Sequence, residues 1–300
     1  MKQNKNQIGP LVDNNNDLRN KIYSWPNTSA CALDQDVVLA EQASYDINTR
    51  TSSRKGLDAI EYLLFNPNLN HSCTVFGTDP QGWNNRTDED RTAARCGLAK
   101  LASADLVSNS EELLTAWNGT ANAQGYADIL KNAGQQDSVF SNAQDAVNDV
   151  SDAIFYVDKL TKDAKLATPL GVFVNDCGLV ACAENVESRF AYHSPQNIIS
   201  NIQGLNMIFL GGETDAGVGF EDYLLDVGAA DTAAQMRGDL AEVIEFALSL
   251  QNSLAELLAQ DPSQVQEMHD QLKDVTDTMK TDFIQRLALE LPATSAGDND

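Results

Sequence analysis

The stretch VQEMHDQLKDVTDTMKTDFIQRL, residues 265–287, sets Val265, Met268, Leu272, Val275, Met279, Phe283 and Leu287 at intervals of three and four. Seven apolar side chains then share one helical face in nearly a heptad repeat, which the period of two in a strand does not allow. Asp261-Pro262-Ser263 is a tight break in front of it, and upstream Ala229 to Gln260 reads as one helix carrying Leu240, Val243, Ile244, Ala247, Leu248, Leu254 and Leu258. Two long helices joined by so short a turn pack as antiparallel neighbours. The same period continues toward the N-terminus. Ser194-Pro195 opens a helix with proline at its first position, and Gly211-Gly212 closes it after Ile198, Ile202, Leu205 and Phe209. Phe140 to Leu160 carries another apolar stripe that stops before Thr168-Pro169, and Asp88 to Trp117 a third that stops at Asn118-Gly119. The Gly, Val and Cys-rich segment Leu170 to Glu184 has no helical stripe and reads as an inter-domain connection or a structured loop. The expected class is all-α, with two helical-bundle-like domains packed side by side, residues 1–168 and 169–300.

Composition narrows the function. The chain has 300 residues, 42% apolar and 21% charged, enough for two cores. Lys plus Arg number 20 against 44 Asp plus Glu, a net charge of −24. So negative a surface repels phosphate backbones and anionic headgroups and attracts cations, which excludes nucleic acid as a partner. No run of eighteen apolar residues occurs. Residues 1–10 are polar, with Lys2 and Lys5 and no apolar core after them, so the sequence as given has no secretory signal and taken literally is cytoplasmic. Against that stand Cys31, Cys73, Cys96, Cys177 and Cys182. They fit either a disulfide-permissive compartment or five thiols in a reducing cell. Cys177 and Cys182 bracket a short loop that a disulfide would close.

Standard hydrolase and phosphate-loop motifs are missing, and His71, His193 and His269 have no mutual helical spacing, so a histidine-rich zinc site is a poor fit. The most informative passage is Lys55-Gly56-Leu57-Asp58-Ala59-Ile60-Glu61-Tyr62-Leu63-Leu64-Phe65. On a helix Leu57, Ile60 and Leu64 form an apolar face with Asp58 and Glu61 together beside it, so Glu61 is expected to be at least half buried. A carboxylate there requires a metal, hydrogen-bond donors or an arginine, with Arg54, Arg95 and Arg189 as structural partners in the alternative reading. A second cluster, Glu184 to Ser194, precedes a helix N-terminus. In one reading Ser194 caps that helix and Glu187 and Arg189 pair with neighbours; in the other Glu187, Ser194 and Asn201 line a polar cleft between the two halves. Gly217 to Leu225 faintly echoes the Gly-acid-Tyr-Leu-Leu order of the first passage, which favours two related halves.

With these passages in view the chain resembles the imelysin family of bacterial envelope proteins, which includes iron-regulated protein A. The match runs through Ile8-Gly9-Pro10, Leu18-Arg19 and Ile22 to Pro26, then Lys55 to Phe65, then Val186-Glu187-Ser188 with Ser194 and Asn201, and last Ser295 to Asp298. The resemblance implies two helical bundle-like domains with a polar site at their junction, and a place in the periplasm or at the outer membrane. The family motif is Gly-x-His-x-x-Glu; here Gly56 and Glu61 are kept and Asp58 stands for the histidine. Exchanging an imidazole for a second carboxylate moves the site away from zinc toward harder cations or toward no metal. Relatives carry an export or lipoprotein signal and a further helical stretch, so the expectation is that Met1 is an internal methionine or the chain a truncated product, with the first bundle short of N-terminal helices.

The function expected from this is a non-catalytic envelope protein that binds a divalent cation (iron or another hard cation) or a small ligand at the inter-domain cleft, in the setting of iron uptake. Asp58 and Glu61 are its metal ligands, and Glu187, Ser194 and Asn201 further ligand contacts. The alternatives are a metallopeptidase with Glu61 as general base and His71 or His193 brought to it, and a scaffold with a vestigial site and an envelope protein as partner.

Overall fold

A computed structural model describes residues 18–75, 77–80, 82–136, 138–213 and 217–296. Ile8-Gly9-Pro10, Gly297 and Asp298 lie outside them. Among the described residues helices dominate, and the two strands are a minimal hairpin, as an all-α chain requires. The chain divides into an N-terminal unit that ends at Lys131 and a C-terminal unit that starts at Asn132. The break read from composition lies further on, at 168/169. The physical reason for the difference is that the helices after Asn142 lend Ile154, Phe155, Val157 and Leu166 to the C-terminal core.

In the N-terminal unit α1 is Leu18–Ile22, α2 Ala30–Leu39, α3 Leu57–Phe65 and α4 Asp88–Asn118, followed by the hairpin β1 Gly119–Thr120 and β2 Ala123–Gln124 and by α5 Tyr126–Lys131. At 1.5 Å per residue α4 is about 46 Å long, and α1, α2, α3 and α5 all pack on it. Its start is fixed by Thr87, whose Oγ1 accepts the N–H of Asp90 at 3.2 Å, and by the acids Asp88, Glu89 and Asp90 in the positive first turn. It stops at Gly119 with φ +78°, as the Asn118-Gly119 pair predicts. Leu33, Val37, Ala59, Leu63, Trp83, Leu98 and Ala102 make the core, and a Cys31–Cys73 disulfide ties α2 to the loop ahead of α4.

The orientation of α3 corrects the sequence reading. Leu57 and Leu64 are each 49% exposed, while Asp58, Ala59, Tyr62 and Leu63 are buried. Hydrogen bonding turns the helix: Asp58 and Tyr62 each find strong polar partners inside, and they carry Ala59 and Leu63 in with them.

In the C-terminal unit α6 is Ala143–Ile154 and a π-helical segment follows at Val157–Ala167, then α7 Thr168–Leu170, α8 Ser194–Leu210, α9 Phe220–Asp226, α10 Ala230–Ser249, α11 Leu254–Gln260 and α12 Ser263–Thr278. A short π-helical segment, Met279–Phe283, and α13 Ile284–Arg286 prolong α12. The π-helix, α8, α10 and α12 pack pairwise into a bundle. Its core includes Ile198, Ile202, Leu240, Val243, Val265, Met268, Leu272, Val275, Met279 and Phe283, so the stripe at 265–287 is buried as read. Gln235 near the start of α10 donates to Thr278 Oγ1 at the end of α12 (3.1 Å), which makes the two antiparallel. The single helix expected over 229–260 is instead two. Ser253 Oγ accepts the N–H of Glu256 and Glu256 accepts the N–H of Ser253, a capping box that starts α11 afresh.

The α10–α12 contact also brings acids together. Burial, and after it the charge of Asp274, raises the pKa of Asp239. A carboxyl whose folded pKa lies above its unfolded value costs stability once ionised, and that cost vanishes as pH falls below the unfolded value. Asp239→Asn is therefore expected to stabilise the chain at pH 7 by roughly 0.5 kcal/mol, with no gain near pH 3. Urea titrations at the two pH values check this.

Candidate functional site

Gly56 fixes where α3 begins. Its φ is +84°, and a Cβ there would lie 2.7 Å from the carbonyl oxygen of Ile22 and 2.9 Å from that of Lys21. Only glycine allows the end of α1 to come so close. Two residues on, Asp58 Oδ2 accepts the backbone N–H groups of Ser24 (3.0 Å) and Trp25 (2.9 Å). Asp58 is 6% exposed, and Glu61, one turn later, is partly buried although the Leu57 and Leu64 face that led to that expectation is the exposed one. One carboxylate of the pair thus anchors the turn between α1 and α2, and the other stands nearer to solvent.

Around this turn lies a polar framework that the sequence did not reveal. Asp34 of α2 is fully buried. Its Oδ2 accepts from Tyr62 Oη (2.9 Å), Ser72 N (2.7 Å) and Ser72 Oγ (2.8 Å), and its Oδ1 faces Arg95 Nη2 at 3.4 Å. Burial first, and the Asp34 charge second, push the Tyr62 phenol up to about 12. Asp36 pairs with Arg50 and Arg54, and Lys55 with Asp105 at 3.2 Å. Arg54 and Arg95, named as structural partners for Glu61, thus hold Asp36 and Asp34. Through Tyr62 and Lys55 the framework ties α3 and its start to α2 and α4. A groove of about 590 Å³ between α2 and α4 is lined by other residues, chiefly Val37, Ala93, Ala94, Gly97 and Leu101, with the Glu41–Arg86 pair at its edge.

In the C-terminal unit Glu187 and Asn201 meet at a residue the sequence reading passed over. Lys165 Nζ lies 3.1 Å from Glu187 Oε2 and donates to Asn201 Oδ1 at 2.7 Å. Glu187 is 0% exposed and Lys165 1%. Ser194 occupies the first turn of α8, where His193 is the N-cap, so Ser194 does not cap the helix. Its Oγ is buried and has no hydrogen-bond partner among the described residues. The connection from Glu187 to α8 holds Ser188 at φ 47° and Tyr192 at φ 55°, strained conformations of the kind that cluster at binding sites. Lys165 belongs to the π-helix, which also buries Asp158, Lys162 and Asp163 and pairs Asp158 with both Lys162 (3.5 Å) and Lys280 (3.4 Å). Burial raises the Asp163 pKa in spite of its bonds to Lys162 and Lys159. The available signal was the Asp158/Lys162 and Lys159/Asp163 spacing of four, which on sequence alone describes an ordinary solvated face.

Of the histidines, His269 is buried on α12 beside Asp270 and His193 is exposed. The backbone N–H of His71 donates to Asn84. Among the described residues, neither Asp58 nor Glu61 belongs to a group of three or more His, Cys, Asp or Glu side chains whose ligand atoms all lie within 4.8 Å of one another. No helix among them is long and apolar enough to cross a membrane.

No curated protein matches this chain. Crystal structures that share its fold include the following two. An iron-regulated protein A precursor from Parabacteroides distasonis ATCC 8503 is 14% identical, with a TM-score of 0.65 over 90% of this chain and 75% of that one. An imelysin-like protein from Psychrobacter arcticum 273-4 is 16% identical, with a TM-score of 0.59 over 91% of this chain and 73% of that one. The family model for imelysin, peptidase family M75, matches residues 6–281, and the chain belongs to the imelysin family.

Proposed function

We propose that this protein is a non-catalytic component of the cell envelope that binds a hard divalent cation through the α3 acids, in the setting of iron handling. The observation that carries the reading is the division of labour between Asp58 and Glu61. Where the family motif has histidine, Asp58 is buried and spends one oxygen on two backbone N–H groups, while Glu61 one turn away keeps partial exposure. A carboxylate pair with no imidazole suits oxygen-seeking cations that keep part of their water shell. It does not provide the nitrogen-rich set of a hydrolytic zinc, which weighs against the peptidase reading. The setting of iron handling is suggested by the name of a protein with the same fold, an iron-regulated protein A precursor, and a periplasmic place by the two disulfides.

Glu187, Ser194 and Asn201 form a second proposed contact set within the C-terminal unit, suited to a small polar ligand, with Lys165 as the charge that holds Glu187 and Asn201 in position. The test of the α3 site is calorimetric titration of the oxidised chain with Fe²⁺, Ca²⁺, Mg²⁺ and Zn²⁺, on the wild type and on Glu61→Gln. One equivalent of Fe²⁺ or another hard cation is expected on the wild type, with affinity reduced at least about tenfold in Glu61→Gln and an unchanged circular dichroism spectrum. Equal binding by both proteins, or none by the wild type, overturns the reading.

A further inference from the structure

The loop that follows the π-helix contains a grouping that the α3 reading does not use. Cys177 and Cys182 form a disulfide, and Glu184 Oε2 lies 3.5 Å from Cys182 Sγ and 3.8 Å from Cys177 Sγ. Among the described residues this is the one trio of His, Cys, Asp or Glu side chains with all ligand atoms within 4.8 Å. Cys177 and Glu184 are exposed and Cys182 is buried, so the trio opens to solvent on one side. The spacing Cys-x4-Cys-x-Glu falls within the range that brings two thiolates to one metal ion.

Hydrogen bonds on both sides of the disulfide also shape the loop. Asn175 Nδ2 donates to the carbonyls of Thr168 (2.8 Å) and Val180 (2.9 Å), and Asn175 Oδ1 accepts the N–H of Cys177 at 2.8 Å. Asn175 and Gly178 exchange both backbone hydrogen bonds, and the N–H of Cys182 donates to the carbonyl of Pro169 at 2.8 Å. None of these bonds involves a sulfur, so opening the S–S bond removes none of them. The bond closes a ring of few residues, which contributes little chain entropy, and one of its sulfurs faces solvent, within reach of an attacking thiolate.

Opening it changes the charge of the site. The oxidised form is a neutral disulfide beside one carboxylate. The reduced form offers two thiols, and ionising them would place three negative groups within 4.8 Å on a chain that already carries −24. Only a bound proton or a cation makes that arrangement stable. Two sulfur ligands and one oxygen select a borderline-soft, tetrahedral d¹⁰ cation over a hard one.

We propose that Cys177, Cys182 and Glu184 are a redox-gated site for a zinc-class divalent cation, closed when the disulfide is formed and open when it is reduced. A dithiol reductant supplies the two electrons: its two S–H groups become a disulfide, and their hydrogens pass to Cys177 and Cys182 as the protein S–S bond breaks. The cation then displaces both thiol protons into solvent and takes the Glu184 carboxylate as third ligand, with water in the fourth position. The site is distinct in residues and in metal class from the α3 acids, so either can fail without the other.

The test uses Co²⁺ as a spectroscopic stand-in for Zn²⁺ on the full chain, in a Cys96→Ser background that removes the free thiol. The protein is reduced with dithiothreitol and desalted without air. One equivalent of Co²⁺ is expected to give thiolate-to-cobalt charge transfer with the intense visible bands of tetrahedral coordination, and Zn²⁺ to displace it. The oxidised protein is expected to give neither. Cys177→Ser with Cys182→Ser, which keeps Cys31 and Cys73, is expected to lose the signal. Glu184→Gln is expected to keep the sulfur bands and weaken affinity at least about tenfold. Signal that survives in the double serine variant, no signal in the reduced protein with native circular dichroism, or unchanged affinity in Glu184→Gln overturns the proposal.

Discussion

Lys165→Met is expected to destabilise the C-terminal unit by about 3–5 kcal/mol, the cost of leaving one partner of a buried ion pair without the other. Lys165 is the cation 3.1 Å from Glu187, both side chains are shielded from water, and Asn201 Oδ1 loses its donor in the same step. Methionine keeps most of the volume, so the loss is electrostatic rather than a cavity. The companion variant Lys165→Met/Glu187→Leu removes both charges and is expected to recover most of the stability, because the desolvation cost of the pair disappears with it. Urea unfolding followed by far-ultraviolet circular dichroism measures both. All three tryptophans, Trp25, Trp83 and Trp117, lie in the N-terminal unit, so their fluorescence midpoint is expected to move much less than the dichroism midpoint. A single-variant loss below about 1 kcal/mol, the scale of an exposed pair, would refute a buried role for Lys165.

The contrast between what sequence discloses and what it hides is clearest along the same helices. The start and stop of α4 and α8 and the start of α12 follow from local chemistry: Thr87 and Gly119, Pro195 and Gly211, and Pro262. Such signals act within a few residues, and sequence displays them. The break before α11 was equally local, since Ser253-Leu254-Ala255-Glu256 spells a capping box, but the apolar stripe running across it masked the stop. The face of α3 was misread because a polar residue counts as outward in any hydrophobic pattern. Asp58 points inward for the sake of Ser24 and Trp25, thirty-odd residues away, and no periodicity reports that. The same blindness concealed the buried charges. Lys165 reaches Glu187 from 22 positions upstream, and Asp34 collects Tyr62, Ser72 and Arg95 from three separate segments. The candidate residues Asp58, Glu61, Glu187 and Asn201 were legible as types at telling places. The cation that joins two of them was not, because a lysine in a helix is by default read as solvated.

The second large effect is expected at Asp34. Asp34→Ala removes the acceptor of four donors at once, namely Tyr62 Oη, Ser72 N, Ser72 Oγ and Arg95 Nη2. The Arg95 side chain is 1% exposed and lies over the Tyr62 ring at 5.2 Å, so it has no easy route to water. The expected cost is about 3–5 kcal/mol, dominated by a buried guanidinium that loses its counter-charge and keeps only the carbonyls of Asn66 and Asn70. It is to be read from the tryptophan fluorescence midpoint, since Trp83 is buried in the same unit. Glu41→Ala breaks a closer, two-point arginine pair, with Arg86, in which the carboxylate is 45% exposed, and it is expected to cost no more than about 1 kcal/mol. The comparison sets a buried acceptor of four donors against a half-exposed one that serves a single arginine. A further readout separates electrostatics from packing. The Tyr62 phenol, now pushed up to about 12 by burial and by the Asp34 charge, is expected to titrate closer to its ordinary value in Asp34→Asn, which keeps the side-chain shape and removes the charge. Ultraviolet titration of tyrosinate formation measures this. If Asp34→Asn leaves the Tyr62 titration in place, and Asp34→Ala costs no more than Glu41→Ala, then Asp34 is not the centre of the framework that ties α3 to α2.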